Sequence, residues 1–172
     1  MTRATLLVIC GLVPGLAQPA LAQRQTLGPA GEKPEVESSL TVSGTIGDKA
    51  LQVSGSGSCR HAPDASIHGV SASLWTVQYG GSEDGPVKQL NLTLWRPKDG
   101  SPDQLSLELK TKSGDHRVET GAGGKHKGEG TVTILPSGPG GRLELRGKDA
   151  KGKPIQISID CPAFGEVEAE GG

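Results

Sequence analysis

The stretches QLNLTLW at residues 89–95 and QLSLELK at residues 104–110 decide the fold. In both, leucine occupies every second position and mostly polar residues lie between the leucines. Successive side chains of a β-strand point to opposite faces, so this alternation predicts strands with one apolar face and one wet face. The segment 96–103 contains two prolines and an Asp-Gly pair, which predicts a loop between the two strands.

The same two-residue period recurs along most of the chain. It is found from Ser38 onward, in the stretch that ends at Cys59, in residues 71–79 and in IQISIDC at residues 155–161. The 27 glycines and 12 prolines divide the chain into short segments and disfavour long helices. We therefore expect a single all-β domain over residues 38–162, an antiparallel β-sandwich or small barrel of about eight or nine short strands.

The first 22 residues have the pattern of a secretory signal peptide. Arg3 supplies the positive charge, a short apolar run follows, and Ala20-Leu21-Ala22 provides a cleavage site with small residues. No other segment is long and apolar enough to span a bilayer, so we expect no transmembrane segment after cleavage. The chain is therefore expected to be exported and to be periplasmic, cell-surface or extracellular.

Polar segments are expected at both ends of the β domain. Residues 23–37 are rich in Gly, Pro and charged side chains and predict a flexible leader. Residues 163–172 are acidic and end in two glycines, which predicts a disordered tail.

Two cysteines remain after removal of the signal peptide, Cys59 and Cys161. Each closes a strand in the same phase as the aliphatic residues of that strand, so both side chains should point inward. Disulfides persist where exported proteins reside. The pair therefore predicts a disulfide that clamps the domain.

Several function classes lack support in the sequence. The net charge of −1, with both signs interspersed, gives no electrostatic case for nucleic acid. The glycine-rich segment 121–126 lacks the residues of a phosphate-binding P-loop, and no Gly-x-Ser-x-Gly elbow is present. The four histidines include no His-x-His pair of the copper–zinc superoxide dismutase type. The sequence favours a non-catalytic protein, with no catalytic residues and no cofactor.

Trp95 and Arg96 are the candidate binding residues. Trp75, Val77 and Tyr79 share one phase, which favours a core position for Trp75, whereas Trp95 is out of phase with the leucines of its own strand. Aromatic and arginine side chains are enriched at binding hot spots. Either Trp95 is an exposed contact residue for a protein or glycan partner, or the 96–103 loop or the leader covers it.

A metal site is the main alternative. His61, Asp64 and His68 share the polar segment 60–69, which contains Pro63 and reads as a loop, but their spacing matches no ligand motif. We expect no metal there and keep a periplasmic metal-binding protein as the alternative function. An inhibitor of an extracellular hydrolase is a further alternative, because small disulfide-bonded β domains serve that role.

Two segments, VSGSGSC at residues 53–59 and IQISIDC at residues 155–161, resemble the mycobacterial lipoprotein antigens. In that family an early Val-x-Gly strand end and a late aliphatic strand both finish in cysteine. The resemblance implies a small exported β-sandwich protein with a disulfide. The chain departs from the family in its leader, where bulky Ile9 precedes Cys10 and a lipidation signal requires a small residue.

Overall fold

The computed structural model describes residues 37–121 and 126–167. These residues form ten β-strands, which confirms the all-β class. The strands are β1 (Ser38–Ile46), β2 (Lys49–Ile67), β3 (Val70–Gly80), β4 (Val87–Pro97), β5 (Gln104–Thr111), β6 (Gly114–Thr120), β7 (Glu129–Ser137), β8 (Gly140–Lys148), β9 (Pro154–Cys161) and β10 (Gly165–Glu166). Within these two ranges no helix is long and apolar enough to cross a membrane.

The strands belong to one sheet, in the order β6-β5-β4-β3-β2-β1-β9-β8-β7. Every neighbouring pair along this order is antiparallel, and β10 adds a short parallel pairing with β2. The sheet curls until β6 and β7 approach each other, so the domain is a nearly closed barrel. Of the two architectures expected from the sequence, the structure has the small barrel.

The core lies inside the barrel and contains the residues that set the two-residue period. Six leucines of β4 and β5 each expose 3% or less of their surface: Leu90, Leu92, Leu94, Leu105, Leu107 and Leu109. Ile155, Ile157 and Ile159 of β9 are equally buried. Trp75 lies in the same core, as its phase predicted.

The prediction of a loop over residues 60–69 is wrong. Strand β2 continues to Ile67 and pairs with β3, and the register shifts between Ala62 and Ala65. A β-bulge of this kind leaves a residue outside the hydrogen-bond ladder, which allows a proline such as Pro63 within a strand. The turn is instead formed by His68 and Gly69, both with positive φ, at 50° and 81°.

The β domain continues beyond Pro162, where the sequence predicted a tail. Phe164 packs against the core, and Gly165 and Glu166 pair with Arg60 and His61 of β2. Ordered structure therefore extends to at least residue 166. The expected signal peptide, all of the leader except Glu37, and residues 168–172 lie outside the described residues.

Cys59 and Cys161 form the predicted disulfide, with their Cα atoms 6.0 Å apart. The bond joins β2 to β9, two strands that lie on either side of β1. It is compatible with an oxidising, exported location.

The junction of β6 with β7 differs from every other junction in the barrel, and we call it the seam. Because eight antiparallel steps separate these two strands, they run in the same direction. In the described residues they form no ladder with each other, and an isolated antiparallel bridge joins Glu119 of β6 to Lys127, which precedes β7. The turn after β8 closes part of the gap, where the Ala150 amide donates to the carbonyl of Arg117 at 2.9 Å.

Candidate binding face

Trp95 lies on the outer surface of the barrel, as its phase predicted. It is half-buried, and its cross-strand neighbours are Leu74 on β3 and Gln104 on β5. Leu74 is 8% exposed although it does not belong to the inner core. Directly opposed side chains of neighbouring strands touch, so Leu74 and Trp95 form a small apolar patch outside the barrel. The indole is therefore packed along one side and open to solvent elsewhere.

Arg96, the other candidate binding residue, does not lie on the same face of the sheet as Trp95. Consecutive residues of a strand point to opposite faces, and Arg96 points inward. Its guanidinium lies 5.6 Å from the centre of the Trp75 ring. Nη2 donates to a carboxylate oxygen of Asp103 at 2.8 Å and to the carbonyl of Val132 at 3.1 Å. Arg96 thus ties β4 to β7 at one end of the barrel.

The same end of the barrel holds a group of stacked rings. The imidazole of His61 lies parallel to Trp75, with ring centres 4.4 Å apart, and Phe164 meets His61 edge-on at 6.1 Å. His61 Nε2 is buried and has no hydrogen-bond partner among the described residues. Burial lowers the pKa of His61. Together with Arg96 these rings fill the barrel end, which gives His61 a structural role.

The structure does not bring His61, Asp64 and His68 together as a metal site. Asp64 accepts a hydrogen bond from the Lys98 ammonium at 2.8 Å, and His68 is exposed in the β2–β3 turn. Within residues 37–121 and 126–167, no three His, Cys, Asp or Glu residues are grouped so that they could hold a metal ion.

A second buried histidine has no signal in the sequence. His116 Nδ1 lies 2.8 Å from a carboxylate oxygen of Asp149, and these side chains are 5% and 1% exposed. Burial raises the pKa of Asp149, but hydrogen bonds from His116 and from the amides of Lys153 and Lys151 outweigh it and hold that pKa below its ordinary value. The pair fixes the β8–β9 turn against β6, beside the seam. It joins residues 33 positions apart, and no local pattern indicates it.

A strip on the outer side of β3, β4 and the first half of β5 carries no charged side chain, although Lys88 at the start of β4 is exposed and Glu108 of β5 lies directly opposite Asn91. Cross-strand register aligns polar side chains there in rows, with Gln78 opposite Asn91, and Thr76 opposite Thr93, which in turn faces Ser106. We call this surface the neutral face, and it consists of Thr76, Gln78, Asn91, Thr93, Trp95, Gln104 and Ser106. Arg60 of β2 marks its margin, opposite Thr76.

The amides of the neutral face are free to bind. The side chains of Gln78, Asn91 and Gln104 form no hydrogen bonds with other side chains or with backbone groups of the described residues, and all three are half-buried or exposed. A shallow groove of about 570 Å³ runs past Gln78 and Asn91, and Glu37 and Lys88 also line it. Each amide offers both donors and an acceptor, so the surface can bind a partner that carries both kinds of group.

Ion pairs border the neutral face. On β5 and β6, Arg117 contacts Glu108 at 2.6 Å and Glu119 at 3.1 Å. On the opposite side of the barrel Arg142 pairs with Asp160 at 2.6 Å. The absence of charge is therefore a property of this strip and not of the whole outer surface that the structure describes.

Comparison of the chain with family models, with curated proteins and with solved structures gives no match. Its function must therefore be inferred from the side chains that the barrel brings together. Of these, the neutral face combines a half-buried tryptophan with amides that form no hydrogen bonds to other described residues.

Proposed function

We propose that the chain is an exported, non-catalytic binding protein of the cell envelope, and that it binds its partner on the neutral face beside Trp95. The observation that carries this proposal is a half-buried tryptophan on the outer face of a sheet, on the same face as amides that form no hydrogen bonds to other described residues. Tryptophan is strongly enriched among residues that dominate binding energies.

Export is supported by three features. Residues 1–22 carry the charge, apolar run and cleavage pattern of a secretory signal. The Cys59–Cys161 disulfide is stable in oxidising compartments. The two cysteine-ending strands resemble those of exported lipoprotein antigens. Recovery of a mature chain that begins at Gln23, identified by mass spectrometry outside the cytoplasm, is the expected result.

A non-catalytic role is supported by the way the buried ionisable groups are used. His61 is held between aromatic rings, and His116 and Asp149 hold a turn against β6. Arg96 is bound by Asp103 and by a backbone carbonyl. Each of these groups thus stabilises the barrel itself.

Co-sedimentation of purified protein with insoluble envelope material from the source cells tests the proposal. We expect the unchanged protein to sediment and Trp95→Ala to lose at least 80% of its binding, with a loss of stability below about 1 kcal/mol. Leu135→Ala is the matched control, because Leu135 is 46% exposed on the outer face of β7, away from the neutral face. Equal sedimentation of Trp95→Ala and the unchanged protein would show that the neutral face is not the binding site.

A further inference from the structure

We infer that the partner bound by the neutral face is an uncharged glycan chain. This inference rests on the proposed function and names the chemical class of its partner. It follows from three properties of the face: its hydrogen-bonding groups, its lack of charge and its open, extended shape.

The hydrogen-bonding groups of the face match those of sugars. A sugar hydroxyl both donates and accepts, and so do amide and hydroxyl side chains. Gln78, Asn91 and Gln104 contribute three amides, and Thr76, Thr93 and Ser106 add hydroxyls between them. A carboxylate only accepts hydrogen bonds and an ammonium only donates them. Either group could therefore pair with a sugar hydroxyl in only one of the two ways that the hydroxyl allows. Neither group occurs among the seven residues of the neutral face, and the charged side chains of Glu108 and Lys88 lie at its edge.

Trp95 supplies the apolar contact that a sugar ring needs. The faces of a pyranose carry C–H groups, which pack against the flat surface of an aromatic ring. The packing of Trp95 beside Leu74 fixes the indole while leaving part of it open. A ring that is already ordered loses little conformational entropy on binding.

The shape of the face favours a chain over a single sugar. Asn91 and Trp95 lie on the same face of β4, four residues apart, which corresponds to about 13 Å along the strand. That distance exceeds one sugar ring. Small ligands are usually enclosed in a cavity, whereas this surface is an open sheet face.

The lack of charge argues against the other macromolecular partners. The centres of protein interfaces are enriched in aromatic residues, methionine and arginine, yet the neutral face has a single aromatic side chain and its one neighbouring arginine, Arg60, is marginal. Nucleic acids and acidic polysaccharides require clustered cations. Three of the bordering charges, Glu108, Arg117 and Glu119, are paired with one another.

Chemical and enzymatic treatment of the envelope material identifies the class of the partner, whichever sugar it contains. We expect binding to survive protease digestion of the envelope and to fall at least tenfold after treatment with trifluoromethanesulfonic acid, which cleaves glycosidic bonds and leaves peptide bonds intact. Binding should also persist in 0.5 M NaCl, where the Debye length is only about 4 Å, because contacts between neutral groups are not screened. Soluble neutral glucans or mannans should compete with the envelope, and alginate, which is acidic, should not.

Variants of the face provide the second arm of the test. Asn91→Ala with Gln104→Ala should weaken binding at least fivefold, whereas Gln156→Ala, which removes an exposed amide from β9, should have no effect. Loss of binding on protease treatment, insensitivity to cleavage of glycosidic bonds or release by salt would each overturn the glycan inference. If Trp95→Ala still abolished binding in those cases, the proposed binding face would stand with a different partner.

Discussion

At the scale of single residues, the two-residue period determines which face a side chain occupies but not what it contacts there. It places Trp75 in the core and Trp95 outside, and both placements are confirmed. It cannot show that Arg96 crosses the barrel to reach Val132, because that contact joins residues 36 positions apart. For the same reason the sequence places His61 in a polar loop, although its ring stacks on Trp75.

His61→Phe should stabilise the protein at neutral pH. Phenylalanine can keep the ring contacts with Trp75 and Phe164. It also removes a buried nitrogen that has no partner among the described residues, which should raise the free energy of unfolding by about 1 kcal/mol. Urea unfolding of the variant and the unchanged protein at pH 7.5 measures the difference. A destabilised variant would show that the imidazole makes a favourable polar contact.

The stability gap between these two proteins should widen as the pH falls. Burial lowers the pKa of His61 below 6.5, so in acid the unfolded chain binds a proton more readily than the folded protein. The unchanged protein should therefore lose stability as the pH falls from about 6.5 toward the folded pKa. His61→Phe should lack this pH-dependent loss of stability. Urea unfolding of both proteins at pH 5.5 tests the difference.

At the scale of elements, the strands with regular alternation were predictable and the irregular one was not. Strands β4, β5 and β9 follow the leucine and isoleucine pattern within a residue or two of the expected bounds. Strand β2 contains Pro63 and a bulge, and its polar residues interrupt the period, so the sequence indicated a loop there. Strand β10 consists of Gly165 and Glu166, which carry no strand signal, and pairs through its backbone alone.

The disulfide should contribute strongly to the stability of these elements. It closes a loop with a sequence separation of 102 residues, for which the chain-entropy model gives about 4–5 kcal/mol as an upper estimate. Cys59→Ser with Cys161→Ser should lower the thermal midpoint markedly, and reductant should then have no further effect. An unchanged midpoint would show that the barrel is stable without the clamp.

At the scale of the whole molecule, the order of strands in the barrel and the neutral face both depend on long-range register. The pairing of β1 with β9 joins the two ends of the domain, and the alternation of either strand is equally compatible with other partners. Trp95 could be nominated from the sequence, but the amides around it belong to three different strands. They become one surface only when β3, β4 and β5 are aligned.

Asp149→Ala should weaken the closure of the barrel. The variant leaves His116 buried without its partner and removes the acceptor for the amides of Lys151 and Lys153, which costs about 3 kcal/mol. Hydrogen exchange should rise first in β6 and in residues 149–153. Asp99→Ala is the control, since Asp99 caps an exposed turn through one bond to Ser101. Equal effects of the two variants would contradict a closing role for Asp149.

Acid should weaken the same contact between Asp149 and His116. The folded pKa of Asp149 lies below its ordinary value of 3.8, so its contribution is complete above that pH and is lost as the pH falls through the folded pKa. Between pH 5 and pH 2, the free energy of unfolding should therefore fall less steeply in Asp149→Ala than in the unchanged protein.

The positions of β1 and β10 beside the same strand have a consequence for chain connectivity. Ser38 at the start of β1 faces Gly57, and Gly165 of β10 faces Arg60, so both ends of the domain meet β2 within three residues, about 10 Å. A short linker could join these ends. The chain could then be cut between β6 and β7, because these two strands do not pair in a hydrogen-bond ladder in the described residues. Such a circular permutant should retain the β-sheet circular dichroism spectrum, and anything fused to its termini would then leave the barrel at the seam.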